Sequence, residues 1–250
     1  MLLDLIHAGL GWPIASALIL FSALSSFITA AFGMGGGVLM LALLANLLPA
    51  AAVIPVHGLV QLGSNTGRAA IMWRHARRDL LPPFVIGGIA GVIMGGLMVV
   101  QLPRGWLLVV LGVFVLYTVL GQPPGFLRRS AWLVGWASSV LTMFVGGTGP
   151  IVAAFVRAQQ MDRMGYVGTS AVLMTLQHLL KSLTFAGLGF AFAPWLPLIA
   201  LMILFGFAGT VLGKRVLLRT DEVRFQRILT VILTLLALRL IWTGAVDLTG

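Results

Sequence analysis

Five polar side chains interrupt an apolar stretch at a regular spacing. His57, Gln61, Ser64, Asn65 and Arg68 stand at i, i+4, i+7, i+8 and i+11, which puts all five on one face of a helix. Ser170, Gln177, His178, Lys181 and Ser182 form a similar stripe in the second half of the chain. If these stretches span a membrane, a charge within them costs at least ~2.5–3.5 kcal/mol. Arg68 and Lys181 then either snorkel to the headgroups or meet a compensating partner. All six carboxylates (Asp4, Asp79, Asp162, Asp221, Glu222, Asp247) fall in predicted loops, turns or termini. The partner that suits the two cations is therefore an anion that comes and goes. A lone buried histidine is commonly satisfied by a neighbour; the stripe is what makes His178 a candidate.

The backbone supplies a second kind of candidate. Gly33-Met34-Gly35-Gly36-Gly37 and Gly146-Gly147-Thr148-Gly149-Pro150 each break an apolar run. Contiguous glycines, or glycine with threonine and proline, do not sustain a helix. Unwound backbone at membrane depth is tolerated only in protein or along a cavity. Its freed N–H groups, with the start of the following half-helix, suit an anion. The candidate binding set is Gly35, Gly36, Gly37, Asn65, Arg68, Gly147, Thr148, Gly149, His178 and Lys181. His57, Gln61, Ser64 and Gln177 are secondary. The four-residue spacings Gly87/Gly91/Gly95 and Gly209/Gly213 read as helix packing. Valine at Gly36 or Gly149 is thus expected to stop function without unfolding, and valine at Gly91 to damage folding.

Other chemistry lacks its residues. The chain has no cysteine, no intramembrane carboxylates for sodium or metal or for a proton relay, and no Gly-x-Ser-x-Gly or His-Glu-x-x-His motif. No metal, cofactor or catalytic residue is expected. Ser64 with His57 keeps an intramembrane hydrolase formally open.

The elements that must position these residues follow from composition. Of 250 residues 60 % are hydrophobic and 9 % charged, against about 45–50 % and 25 % in soluble domains. A water-soluble fold is excluded. The net charge of +10 sits in clusters between apolar runs, so topology explains it and nucleic acid is not an expected partner. Met1-Leu2-Leu3-Asp4 lacks the basic region of a cleavable signal peptide, and the whole chain reads as membrane domain.

The halves repeat. Gly35 and Gly37 match Gly147 and Gly149 at an offset of 112, Asn65 and Arg68 match His178 and Lys181 at 113, and Gly91 and Gly95 match Gly209 and Gly213 at 118. Eight simple crossings would divide the loop cations into Arg74, Arg77, Arg78, Arg128 and Arg129 against the other eight, violating the positive-inside rule. If each broken block turns back at its glycines, twelve share one side and Arg104 stands alone. An arm such as 131–145, at 1.5 Å per residue, reaches only roughly 22 Å, which favours turning back. Each half then has an odd number of full crossings. The expected fold is an all-α polytopic membrane protein of two inverted repeats, 10–121 and 126–244, each a Gly-broken helix plus three transmembrane helices in one integrated domain. Both termini are expected in the periplasm. Arg68 falls toward the cytoplasmic end and Lys181 toward the other.

Phe32-Gly33-Met34-Gly35-Gly36-Gly37, its counterpart Gly147-Thr148-Gly149-Pro150, the glycine-spaced spans and the length resemble the TauE/SafE sulfite exporter family over about residues 14–243. Thr148 departs from the usual three glycines. The resemblance implies export of sulfite or an organosulfonate such as sulfoacetate across a bacterial inner membrane. The residues alone reach an inverted-repeat carrier for an anion. An anion channel, a membrane-embedded enzyme and a structural membrane protein remain as alternatives, and an oligomer is possible.

Overall fold

The computed structural model describes residues 7–98, 103–121, 125, 129–216 and 222–249. Asp4, Asp221, Arg128 and Arg219 lie outside the described residues. Every regular element described is helical: α1 Trp12–Phe32, α2 Gly36–Leu47, α3 Ala50–Met72, α4 Leu81–Met98, α5 Arg104–Leu120, α6 Ala131–Val145, α7 Gly149–Ala158, α8 Arg163–Gly187, α9 Leu196–Val216 and α10 Glu222–Thr249, with three short 3₁₀ turns. Four stretches, Trp12–Phe32, Arg78–Met98, Ala193–Val216 and Thr230–Thr249, are long and apolar enough to cross a membrane. The chain is an all-α polytopic membrane protein.

Both predicted breaks are present. Gly33 ends α1 in the left-handed region (φ 81°), and Gly35 precedes α2 at φ 100°. Gly146 ends α6 at φ 72° and Thr148 caps α7 at φ −80°. These helix ends correspond at one constant offset of 113, the offset of Arg68 and Lys181. The breaks are therefore registered one residue away from the glycine-to-glycine match at 112. The arms are also unequal. α6 has 15 residues and α7 has 10, but α1 has 21, roughly 31 Å and long enough to cross alone.

Packing between the halves is reciprocal. α1 packs on α9, and α6 on α4. Gly209 lies against Ala23 O and Gly91 against Trp136 O, and 23 and 136 are 113 apart. Gly213 meets Phe27 O and Ala30; Gly95 meets Val140 O and Met143. Each glycine admits a neighbouring backbone that any Cβ would push away. The corresponding helices α3 and α8 pack on each other, as do α5 and α10. Both pairs run antiparallel: Gly58 touches Lys181 and Gly168 touches Met72, while Gly105 touches Leu248 and Gly112 touches Ile241.

One end of the molecule gathers basic loops. Arg77 N–H donates to Thr169 Oγ1 at 3.0 Å, and Gly168 abuts Met72 O and Ala76 N. The turn carrying Arg74, Arg77 and Arg78 thus sits beside the start of α8, which Asp162 caps by accepting from Gly165 N–H. Eight simple crossings would separate these loops, so that arrangement is excluded. Asp79 is engaged there too, accepting hydrogen bonds from the Arg77 guanidinium.

Candidate functional site

Within the polar stripe of α3, Gln61, Asn65 and Arg68 form a hydrogen-bonded ladder along one helix face. Asn65 Nδ2 donates to Gln61 O at 2.8 Å, and Arg68 Nη2 donates to Asn65 Oδ1 at 2.9 Å. His57 Nε2 lies 2.9 Å from Gly37 O; a carbonyl can only accept, so Nε2 carries a proton. This bond ties the stripe to the first turn of α2. The His57 and His178 rings meet edge to face with centroids 5.9 Å apart, joining the stripes of α3 and α8.

Between the stripes and the two breaks lies a cavity in which the centres of water-sized spheres have about 50 Å³. A single water needs about 10–15 Å³ on this measure, so the space suits a few waters or one compact ion. Its walls include Gly35, Gly37, Gly147, Gly149, Asn65, Arg68, His178, His57 and Gln61. Thr29, Met34, Ser170 and Met174 line it as well. No Asp or Glu is among the lining residues. Arg68 is 2 % exposed, and its Nη1 has no hydrogen-bond partner among the described residues. His178 Nδ1 and Ser170 Oγ are likewise buried and unpartnered. A buried guanidinium nitrogen without an acceptor is costly.

Five candidates stand outside the lining: Gly36, Ser64, Thr148, Gln177 and Lys181. Gly36 is pressed onto Ser25, whose carbonyl oxygen occupies the place of a Cβ. The expectation that valine at Gly36 stops function without unfolding is therefore corrected: the position is closed by α1, not open to a ligand. Ser64 Oγ is bonded to Ser26 Oγ at 2.7 Å. Gln177 Nε2 donates to Thr148 Oγ1 at 3.1 Å, which occupies both secondary candidate Gln177 and the threonine hydroxyl. Lys181 is fully buried and donates to Gly146 O at 3.5 Å.

The sequence reading missed Thr29 and Met34. A signal existed for the first: Ser25-Ser26-x-x-Thr29 recurs as Ser138-Ser139-x-x-Thr142 at the offset of 113. A second, larger space of about 370 Å³ adjoins the cavity, and Met34, Pro150 and Ala153 line both. Its outer wall holds Tyr117, Gly121, Arg157, Ala158 and Tyr166, with the Arg157 guanidinium 5.6 Å from the Tyr166 ring centre. It is a vestibule at the basic end.

Comparisons with curated proteins and with solved structures find no match. The sequence profile of the sulfite exporter TauE/SafE family matches residues 18–240, nearly the whole chain. The chain belongs to this family of membrane transporters.

Proposed function

We propose that the protein is a carrier that exports a small anion, sulfite or an organosulfonate such as sulfoacetate, across the bacterial inner membrane by alternating access. The observation that carries this reading is Arg68, buried in a wall free of carboxylates, with one donor nitrogen unpartnered among the described residues. A bound oxyanion supplies the missing acceptor. Hydrogen bonds to a charged group contribute about 1.5–3 kcal/mol, which helps offset the anion's lost hydration. Asn65, His178 and the N–H groups opening α2 complete the cradle. Sulfite matches the cavity's size, and the extra carboxymethyl of sulfoacetate extends past Met34 into the vestibule. No residue is assigned a catalytic role.

The two halves are read as inverted repeats. Antiparallel packing of α3 on α8 and of α5 on α10 supports this, as does the shared basic end. With that end cytoplasmic, the vestibule admits anion from the cell interior and both termini are periplasmic. The membrane potential then assists exit by roughly 2.3 kcal/mol per charge per 100 mV.

Counterflow of labelled sulfoacetate and sulfite in proteoliposomes tests the reading. Saturable flux accelerated by unlabelled anion on the far side is expected. Flux that rises linearly and ignores the far side points to a channel instead. Labels placed at residues 126 and 160 should both report cytoplasm; opposite faces would overturn the inverted arrangement.

A further inference from the structure

The two halves hold corresponding parts in different positions. In the first half, Val38 and Leu39 of α2 share an apolar cluster with Val115 of α5 and Leu233 and Ala237 of α10. In the second half, the counterpart α7 faces the vestibule, across from Tyr117, Thr118 and Gly121 at the end of α5. The residues along the two arms correspond at 113: Met40 with Ala153, Leu44 with Arg157, and Ala45 with Ala158. Leu44 and Ala45 are 0 % and 2 % exposed, whereas Arg157 and Ala158 are open to the surface. One arm is sealed against its neighbours and the other is not.

The cations differ in the same sense. Arg68 lines the cavity, and its Nη1 has no partner among the described residues. Lys181, its counterpart, is withdrawn. Its stem lies along Gly58, where a Cβ would come within 2.5 Å of Cε, and its ammonium donates to Gly146 O at the end of α6. The counterpart of Gly146 is Gly33, which ends α1 and lines the cavity with Arg68. A fold built from two corresponding halves in unlike conformations has a second arrangement of similar contacts, in which the halves trade conformations. Differential binding of a ligand then sets the balance between the two.

We propose that Lys181 is the cation of a second anion site, open at the end opposite the vestibule, which forms when the halves trade conformations. In that arrangement α2 parts from α10 and uncovers Met40, Leu44 and Ala45. The other arm, α7, closes on α5. Lys181 leaves Gly146 O for the anion, and Arg68 withdraws toward Gly33 O. The inference rests on the carrier reading and extends it by giving each end its own cation. The ligand class is the same small oxyanion, but the two sites are chemically unequal. A guanidinium offers a planar fork that matches two oxygens at once, while an ammonium acts as a point charge. Tighter capture at the vestibule end and easier release at the other follow from that difference, which suits export.

The chain contains no cysteine, so single replacements can be labelled cleanly. Ala158→Cys and Ala45→Cys probe corresponding positions, one exposed and one buried. In oriented proteoliposomes, a membrane-impermeant maleimide should label the first from one face only and the second from the opposite face only. Sulfoacetate, which unlike sulfite does not attack maleimides, should shift the two rates in opposite directions when added to one face. Lys181→Gln should weaken sulfoacetate binding about tenfold or more at the Ala45 face alone, and Arg68→Gln at the Ala158 face alone. Should Lys181→Gln not fold, Lys181→Arg decides: tighter binding at the Ala45 face is expected, and unchanged binding there overturns the proposal. Running flux with Ala45→Cys never labelled overturns it as well, and leaves the carrier reading standing. Alternating labels without sulfoacetate or sulfite flux support the exchange and overturn the substrate reading instead.

Discussion

The two helix breaks share a topology and differ in chemistry. At the first, Gly33 and Gly35 both have positive φ, so the chain turns sharply and α2 starts on Gly36-Gly37. The N–H groups of Gly36, Gly37 and Val38 have no acceptor within the helix, because the first intrahelical bond runs from Leu39 N–H to Gly35 O at 3.0 Å. At the second, Pro150 has no N–H to offer, and Thr148 O already accepts from Ile151 at 3.0 Å. The first break therefore presents donors near the cavity, while the second presents a carbonyl, Gly146 O, that holds Lys181. A repeat preserves the backbone path; the residues in each break decide what that path offers a ligand.

The largest expected effect breaks this comparison at the glycines that open the two returning arms. Gly36→Ala drives a methyl into Ser25 O, and backbone on both sides leaves nothing flexible to yield. We expect no folded protein, read as loss of the monodisperse species in detergent. At Gly149, a Cβ meets only Met174 Cε at 3.8 Å, an ordinary contact. Gly149→Ala should fold with a near-unchanged melting temperature while narrowing the cavity, and should weaken the larger sulfoacetate more than sulfite. Equal damage from both would mean that the breaks are packed alike.

A smaller effect sharpens the claim that the cavity takes its cation from the first half, Arg68, and not from Lys181. Arg68→Gln removes the charge and keeps a flexible amide. Losing a charge-assisted bond of about 1.5–3 kcal/mol predicts roughly ten- to a hundredfold weaker anion binding at normal protein levels. Calorimetry or equilibrium dialysis with sulfite measures it. Wild-type affinity would return Arg68 to the role of a snorkelling side chain.

Much of this was legible in the residues, and the remainder has definite physical reasons. The stripe from His57 to Arg68 is a helical spacing; the structure links Gln61, Asn65 and Arg68 as a ladder and ties His57 and Ser64 to neighbouring helices. Gly91, Gly95, Gly209 and Gly213 were readable as packing positions because four-residue spacing on an apolar helix has few other uses. The difference between Gly36 and Gly149 was not readable, since it depends on how far each arm folds back. That depends in turn on φ at Gly33 and Gly35, and composition does not encode those angles. Nor could spacing tell that Lys181 sits on a carbonyl while Arg68 lines the cavity. The two occupy positions 113 apart in the repeat, and only their packing in the fold makes them unequal.

The smallest effect concerns Thr148, where the second break departs from glycine. Its hydroxyl accepts from Gln177 Nε2 and neither side chain is exposed, so its role here is to satisfy a buried amide. Thr148→Val keeps the shape and leaves that amide donor unpaired, beside a Gln177 Oε1 that already lacks a partner among the described residues. The cost should be about 1–3 kcal/mol in stability, visible as a lower melting temperature. Thr148→Ser keeps the acceptor and should lose less. Anion affinity should stay within about twofold in both, because the hydroxyl stands outside the cavity wall. A tenfold fall in affinity for Thr148→Val, with Thr148→Ser near wild type, would show the hydroxyl reaching the anion. The second break would then be a donor site like the first, and the asymmetry argued from Pro150 and Thr148 O would fail.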